Sequence, residues 1–316
     1  MGIYMIKKKD FLSVVDFSVE EIWDTFSLAE KLKTQAKKRK FKKYLQDKTL
    51  AMLFSKTSTR TRVSFEVGMR QLGGHALFLS KNDIQLGKGE TIFDTAKVLS
   101  RMVDGIMIRT YAHEEVVSLA SAASIPVING LTDLLHPCQA MADFFTIFEN
   151  KPALRHNPFQ LKLTFIGDGN NVANSLLLLG SKLGATITLC SPKGYAIPAQ
   201  ILEIAEENFR QLGGRVIFEE NPLKASKDAD VLYTDVWVSM GQEAESEERI
   251  KIFQKYQINQ EALKQAKTDA IVLHCLPANR GMEITDEVID GPHSRVFDEA
   301  ENRLHVQKAL MVKLMK

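Results

Sequence analysis

The stretch Thr49–Glu66, TLAMLF-SKTSTRT-RVSFE, reads as a strand, a short polar loop and the start of a helix. A continuous apolar run without alternation indicates a strand buried on both faces. Phe65, Met69 and Leu72 then recur at helical spacing, and Gly73-Gly74 ends the helix. The first turn of a helix has unpaired N–H groups and the positive end of its dipole, the geometry that binds phosphate. Ser58, Thr59 and Thr61 add hydroxyl donors, and Arg60 adds a forked cation suited to phosphate oxygens. Taken alone, the loop fits an anion site and an ordinary N-cap with surface arginines equally well.

The same alternation continues outward. Further candidate strands in the first half are 76–80 (ALFLS), 105–109 (GIMIR) and 125–128 (IPVI), with helical stretches at 59–72, 92–103 and 114–124. A helix over 138–149 leads into Lys151-Pro152 through Asn157-Pro158, whose two prolines mark a domain junction. The alternation then restarts, with strands at 161–166, 185–190, 215–218, 230–234 and 270–274, and a closing helix at 301–315. This pattern predicts two doubly wound α/β domains with parallel sheets, residues 1–150 and 151–300, the last helix (301–316) returning to the first domain. Ligands in such sheets bind beyond the carboxyl ends of the strands, so the active site is expected in the cleft between the domains.

A length of 316 residues suits two domains, and 45% hydrophobic with 25% charged residues lets each bury a core. The formal net charge of +2 gives no reason to expect a nucleic-acid partner. The basic run Lys37-Lys38-Arg39-Lys40, with Lys42 and Lys43, reads as a solvated helix end. Cys138, Cys190 and Cys275 have no paired spacing, which argues against disulfides and a zinc site and fits the cytoplasm. No secretory signal and no membrane-spanning run is read.

Polar residues recur where strands end. Arg109 closes GIMIR, and His136-Pro137-Cys138-Gln139 stands immediately before a helix, with the proline suited to its first turn. His136 and Gln139 then both face the binding edge, while Cys138 packs in the core. Together, the phosphate loop, DIQLGKGE (Asp83–Glu90), the Arg109 strand and HPCQ resemble the transcarbamylase family, and within it the ornithine carbamoyltransferases. The resemblance runs in order along nearly the whole chain. It implies that Ser58, Thr59, Arg60, Thr61, Arg109, His136 and Gln139 hold carbamoyl phosphate. It also implies a homotrimer, or a multiple of trimers, in which the loop carrying Gln85 reaches a neighbouring subunit's site.

The second half reads as the acceptor side. FIGDGNNVANS (Phe165–Ser175) is another strand, loop and helix start, but Val172 occupies the third glycine position of a dinucleotide fingerprint, which disfavours a nicotinamide site. In DVWVSMG, Asp235 suits the ammonium of a diamino acid, and Ser239 with the backbone near Met240 suits its α-amino and α-carboxylate end. The resemblance assigns Asn171, Asp235, Ser239 and Met240 to ornithine. The acidic segment Gln242–Glu248 reads as an exposed loop and a candidate lid. In HCLPANRG, the resemblance places Cys275 at the ornithine side-chain amine with Asp235, the Leu276 carbonyl on the carbamoyl NH₂, and Arg303 as a last carbamoyl phosphate ligand.

The expected chemistry is transfer of the carbamoyl group to the side-chain amine of L-ornithine, giving L-citrulline and phosphate. Arg109, Thr61 and His136 would donate to the developing oxyanion, and Asp235 with Cys275 would position and deprotonate the amine. No metal or organic cofactor is required. Carbamoyl transfer to another amine is the alternative.

Overall fold

The computed structural model describes residues 9–81, 89–238 and 245–316. By contacts the chain divides into two units, the first Met1–Cys138 with Arg303–Lys316 and the second Gln139–Asn302.

The first unit holds β1 (Thr49–Phe54), β2 (His75–Ser80), β3 (Gly105–Arg109) and β4 (Val127–Leu131), all parallel in the order β2-β1-β3-β4. β1 and β3 are almost wholly buried, as continuous apolar runs require of a two-sided sheet. The helices are α1 (Val19–Lys37), α2 (Thr59–Leu72), α3 (Ile92–Leu99) and α4 (His113–Ala122). Ser18 and Glu21 form a capping box that starts α1, and the basic residues beyond Lys37 are exposed. Gly73, at φ 91°, ends α2 in the left-handed conformation.

The strand expected at 125–128 lies instead at Val127–Leu131. Asn129-Gly130 looks like a turn in sequence, yet Asn129 is buried. Its backbone N–H donates to the Phe11 carbonyl at 2.8 Å, and its side-chain amide donates to the Leu12 carbonyl at 2.9 Å. The N-terminal segment thus satisfies the two Asn129 donors that would otherwise break the strand. α3 also stops at Leu99, where the Ser100 hydroxyl bonds back to the Ala96 carbonyl at 2.6 Å.

The second unit holds β5 (Lys162–Ile166), β6 (Thr186–Cys190), β7 (Arg215–Phe218), β8 (Val231–Thr234) and β9 (Ile271–His274), all parallel in the order β7-β6-β5-β8-β9. Its helices begin with α5 (Pro137–Asn150), α6 (Pro152–His156), α7 (Asn171–Lys182), α8 (Ala199–Leu212) and α9 (Pro222–Ala225). They continue with α10 (Ser246–Phe253), α11 (Gln260–Gln265), α12 (Asp286–Ile289) and α13 (Val296–Met315). The contact division falls inside α5 and inside α13 rather than at the prolines of 152–158. α13 starts at Val296, before the expected residue 301, with Asp298 in its first turn, where a carboxylate favours the dipole. Its C-terminal part packs on α2 within the first unit. A Cβ on Gly68 would lie 2.9 Å from Met311 Cε and 3.2 Å from Lys308 Cγ, so the two helices meet closely at this glycine. The described end of the acidic segment is not loop, because Ser246, Glu247 and Glu248 open α10.

Candidate active site

Strand order reverses at β1 in the first sheet and at β5 in the second. Such switch points open a crevice beyond the carboxyl ends of the flanking strands. Ser58–Thr61 and Arg109 stand at the first of these places, and Asn171 and Asp235 at the second.

In the first unit the loop after β1 runs into α2. Ser58 is the N-cap of α2, its hydroxyl accepting the Thr61 N–H at 3.2 Å, so the helix starts in the loop that follows β1. Thr61 is buried and Thr59 exposed. Arg109 ends β3, buried, and its carbonyl accepts the Ser55 N–H at 2.8 Å, which ties the β3 end to the β1 loop. Arg303, buried on α13, donates to Thr61 Oγ1 at 3.3 Å and to Gln307 Oε1 at 3.1 Å. Lys56 pairs with Asp133 and lies over the Tyr111 ring at 4.2 Å.

His136 reports the field of this half. Burial pushes its pKa well below the ordinary histidine value, and the positive charges of Arg303, Arg109 and Arg60 lower it further. The imidazole is therefore neutral, amid three guanidinium groups. An assembly of like charges around a neutral donor is stabilised by an anion.

In the second unit the loop after β5 turns at Gly167, φ 146°, and Asn170 caps α7, its Oδ1 accepting the N–H groups of Val172 and Ala173. Asn170 Nδ2 also donates to Asp235 Oδ2 at 2.8 Å. Asp235, buried just beyond β8, accepts the Val236 N–H at 2.8 Å and the Cys275 thiol at 3.0 Å on Oδ1. Burial, then the charge and hydrogen bond of Asp235, push the Cys275 pKa well above the usual thiol range. Cys275 is thus a protonated donor and Asp235 the acceptor of the pair.

Leu276 follows at φ 56°, its N–H held at 2.9 Å by His274 Nδ1. The His274 proton therefore sits on Nε2, which faces Glu283 Oε1 at 3.1 Å. Glu283 also accepts the Asn279 N–H at 2.5 Å. This buried network fixes the turn carrying Cys275 and the Leu276 carbonyl. Among the described residues, Asp235, His274 and Cys275 bring three potential metal-ligand atoms within 4.8 Å of one another, but both ring nitrogens of His274 are engaged in the hydrogen bonds just given.

Gln139, in the first turn of α5, belongs to the second unit by contacts, and Asn171 opens α7 half-buried. Gln85, Ser239 and Met240 lie outside the described residues. Sequence reasoning did not find four contributors. Asn170 braces Asp235, and Asp143, Glu299 and Tyr233 surround Gln139. Asp143 was findable, since it stands at i+4 from Gln139 on a helix. Arg249 adds a further brace. It pairs with Asp168 and donates to the Trp237 carbonyl at 2.7 Å, flanking the β8 exit.

The two all-parallel α/β units thus carry a cationic cluster at the switch point of the first and a carboxylate–thiol pair beyond the second sheet, the architecture of a two-domain α/β enzyme. The comparisons with known proteins give the family. Residues 9–149 match the carbamoyl-P binding domain, and residues 160–314 the Asp/Orn binding domain, of aspartate/ornithine carbamoyltransferases. The chain is 58% identical over 304 residues to an ornithine carbamoyltransferase of Caldicellulosiruptor saccharolyticus, covering 96% of this chain and 97% of that one. It is 53% identical over 307 residues to the anabolic ornithine carbamoyltransferase of Pyrococcus furiosus, covering 97% and 96%. The solved ornithine carbamoyltransferase from Pyrococcus furiosus superposes with a TM-score of 0.93 at 52% identity, over 99% of both chains. The anabolic enzyme from Campylobacter jejuni gives 0.89 at 45%, over 97% and 98%. The chain belongs to the aspartate/ornithine carbamoyltransferase family, a family of transferases.

Proposed function

We propose that the protein transfers the carbamoyl group of carbamoyl phosphate to the side-chain amine of L-ornithine, releasing L-citrulline and phosphate. The observation that carries this reading is the pairing of Asp235 with Cys275 and Asn170 at the second switch point, a carboxylate suited to an ammonium. A site for aspartate would need cations there.

Carbamoyl phosphate is a mixed anhydride, so its leaving group is already good. The α2 N-terminus with Ser58, Thr59, Arg60 and Thr61, together with Arg303, holds the phosphate and its growing charge. Arg109, Thr61 and neutral His136 donate to the carbonyl oxygen as it becomes an oxyanion. Gln139 and the Leu276 carbonyl accept from the carbamoyl NH₂, fixing its plane. Gln85 completes the donor site.

Ornithine is held by Asn171, Ser239 and Met240 at its α end and by Asp235 at its side chain. The reactive form is the neutral amine, whose free pKa lies near that of lysine at about 10.4. Asp235 takes up the departing proton. Cys275, held as a thiol, orients Asp235 and the amine rather than acting as the base. No metal or organic cofactor enters.

The enzyme is proposed to be a cytoplasmic homotrimer serving arginine synthesis. Its three cysteines are free thiols, which fits a reducing compartment. Phe93 and Met102, at and just beyond α3, are large apolar side chains left 57% and 74% exposed in the single chain. Turnover with a panel of amines tests the acceptor. Ornithine should exceed putrescine, N-acylated ornithine and aspartate by orders of magnitude, and a better acceptor among these would overturn the reading.

A further inference from the structure

Within the first unit, α2 and α13 face each other through four buried polar residues that the chemistry above only half uses. Thr61 and Ser64 stand one turn apart on α2, and Arg303 and Gln307 one turn apart on α13. Gln307 Oε1 accepts the Arg303 Nε–H at 3.1 Å and the Ser64 hydroxyl at 2.9 Å. Arg303 Nη2 donates to Thr61 Oγ1 at 3.3 Å. The Ser64 hydroxyl also lies 3.1 Å from the Thr61 carbonyl, which ties it to the first turn of α2.

The direction of the Gln307 amide follows from its partners. A guanidinium Nε–H can only donate, so the amide must turn its oxygen toward it, and a hydroxyl can then donate to the same oxygen. The other end of the amide is costly. Gln307 Nε2 is buried with no hydrogen-bond partner among the described residues, and a buried donor left unsatisfied destabilises a fold. A methionine would fill the same space without that cost. Packing alone therefore does not account for an amide at this position, whereas its oxygen does.

A guanidinium is planar and carries its donors in a fixed fork, so its angle decides how it meets phosphate oxygens. Held at Nε by Gln307 and at Nη2 by Thr61, the Arg303 group keeps one plane. Both holding atoms are neutral. The clamp thus cancels none of the positive charge, which His136 registers.

We propose that Gln307, backed by Ser64, is a positioning residue that aims the Arg303 guanidinium at the phosphate end of carbamoyl phosphate. Gln307 then sets affinity for that substrate from behind the arginine, with no part in the transfer step. The inference rests on the reading that Arg303 meets the phosphate.

The test is a double-mutant cycle on the intact enzyme, with Arg303→Met, Gln307→Met and the two combined. Three quantities are read: the KM for carbamoyl phosphate, the inhibition constant of inorganic phosphate, and the KM for ornithine. Arg303→Met should weaken both phosphate-bearing ligands by about 10- to 150-fold, the value of a charge-assisted contact. Gln307→Met should weaken both by about three- to tenfold, the value of one neutral hydrogen bond. Its kcat and its KM for ornithine should stay within about twofold. The double variant should match Arg303→Met within about twofold, because a residue that acts only through Arg303 has nothing left to position.

If Arg303→Met leaves phosphate affinity unchanged, the reading of Arg303 fails, and the inference with it. If Arg303→Met weakens phosphate but Gln307→Met does not, the inference alone is overturned. Losses that multiply in the double variant, or an equal rise in the KM for ornithine, make Gln307 a structural residue and also overturn it. Should Gln307→Met not fold, Gln307→Asn, which keeps the amide but draws its oxygen back, is read in its place. Failure of both to fold counts against the inference.

Discussion

Replacing Asp235 with asparagine removes one negative charge and almost no volume. The wild-type carboxylate accepts from Cys275 Sγ at 3.0 Å, Val236 N at 2.8 Å and Asn170 Nδ2 at 2.8 Å. An amide oxygen can keep the first two. The new amide nitrogen then meets the Asn170 amide nitrogen, donor against donor, at a cost of about 1 kcal/mol to stability. The effect on catalysis is larger. A hydrogen bond to a charged group contributes about 1.5–3 kcal/mol, which is about 10- to 150-fold in ornithine affinity. Loss of the proton acceptor adds about 10²–10⁴ in rate. The variant Asp235→Asn should therefore lose at least about 10³ in kcat/KM for ornithine, with the KM for carbamoyl phosphate nearly unchanged. Citrulline formation at varied ornithine and saturating carbamoyl phosphate reads this directly. A loss under tenfold, or an equal loss in carbamoyl phosphate affinity, would refute the role given to Asp235.

Three further outcomes are expected. Arg60→Ala should raise the KM for carbamoyl phosphate by about 10- to 150-fold, the value of one charge-assisted contact; near-normal kinetics at low substrate would remove Arg60 from the donor site. His136 is buried neutral, so its folded pKa lies below the unfolded value near 6.5. Below pH 6.5 the unfolded chain binds a proton that the folded chain refuses. Its stability contribution is thus full above that pH and lost as pH falls toward the folded value, at up to about 1.4 kcal/mol per pH unit. Denaturation of wild type and His136→Gln should show a shallower acid slope in the variant, and identical slopes would contradict the burial argument. Cys275 should react slowly with iodoacetamide at pH 8, where a free thiol with a pKa near 8.5 is already partly ionised. Asp235→Asn should accelerate it, and an unchanged rate would show that Asp235 does not hold the thiol protonated.

The donor half of the site was more legible in the sequence than the acceptor half. Strand, loop and helix start at 49–66 announce themselves by local rules, and α2 runs from Thr59 to Leu72 between its Ser58 cap and Gly73 as the spacing predicts. β3 and β7 likewise fall on their apolar runs. Failures came where distant chain satisfies local polarity. Asn129-Gly130 continues β4 only because the segment around Phe11 supplies partners. Glu299 reads as one acid among several in DEAEN, and nothing near it in sequence shows that it meets Gln139, Tyr233 and the His274 backbone. The thiol of Cys275 also changes character in three dimensions. Sequence offered it as a group able to take a proton, whereas burial beside Asp235 makes it a donor. The residues proposed to touch substrate were thus readable from motif and strand position, while the partners that orient them depend on contacts far apart in the chain.

The most direct measurement follows the new bond itself. Carbamoyl phosphate labelled with ¹³C and ornithine labelled with ¹⁵N on its side chain are incubated with the enzyme, and the product is observed by NMR. The account predicts a ureido carbon split by one-bond coupling to the labelled nitrogen, appearing with stoichiometric phosphate and abolished in Asp235→Asn on the same timescale. An uncoupled carbamoyl carbon, or phosphate release without a coupled product, would contradict transfer to the side-chain amine.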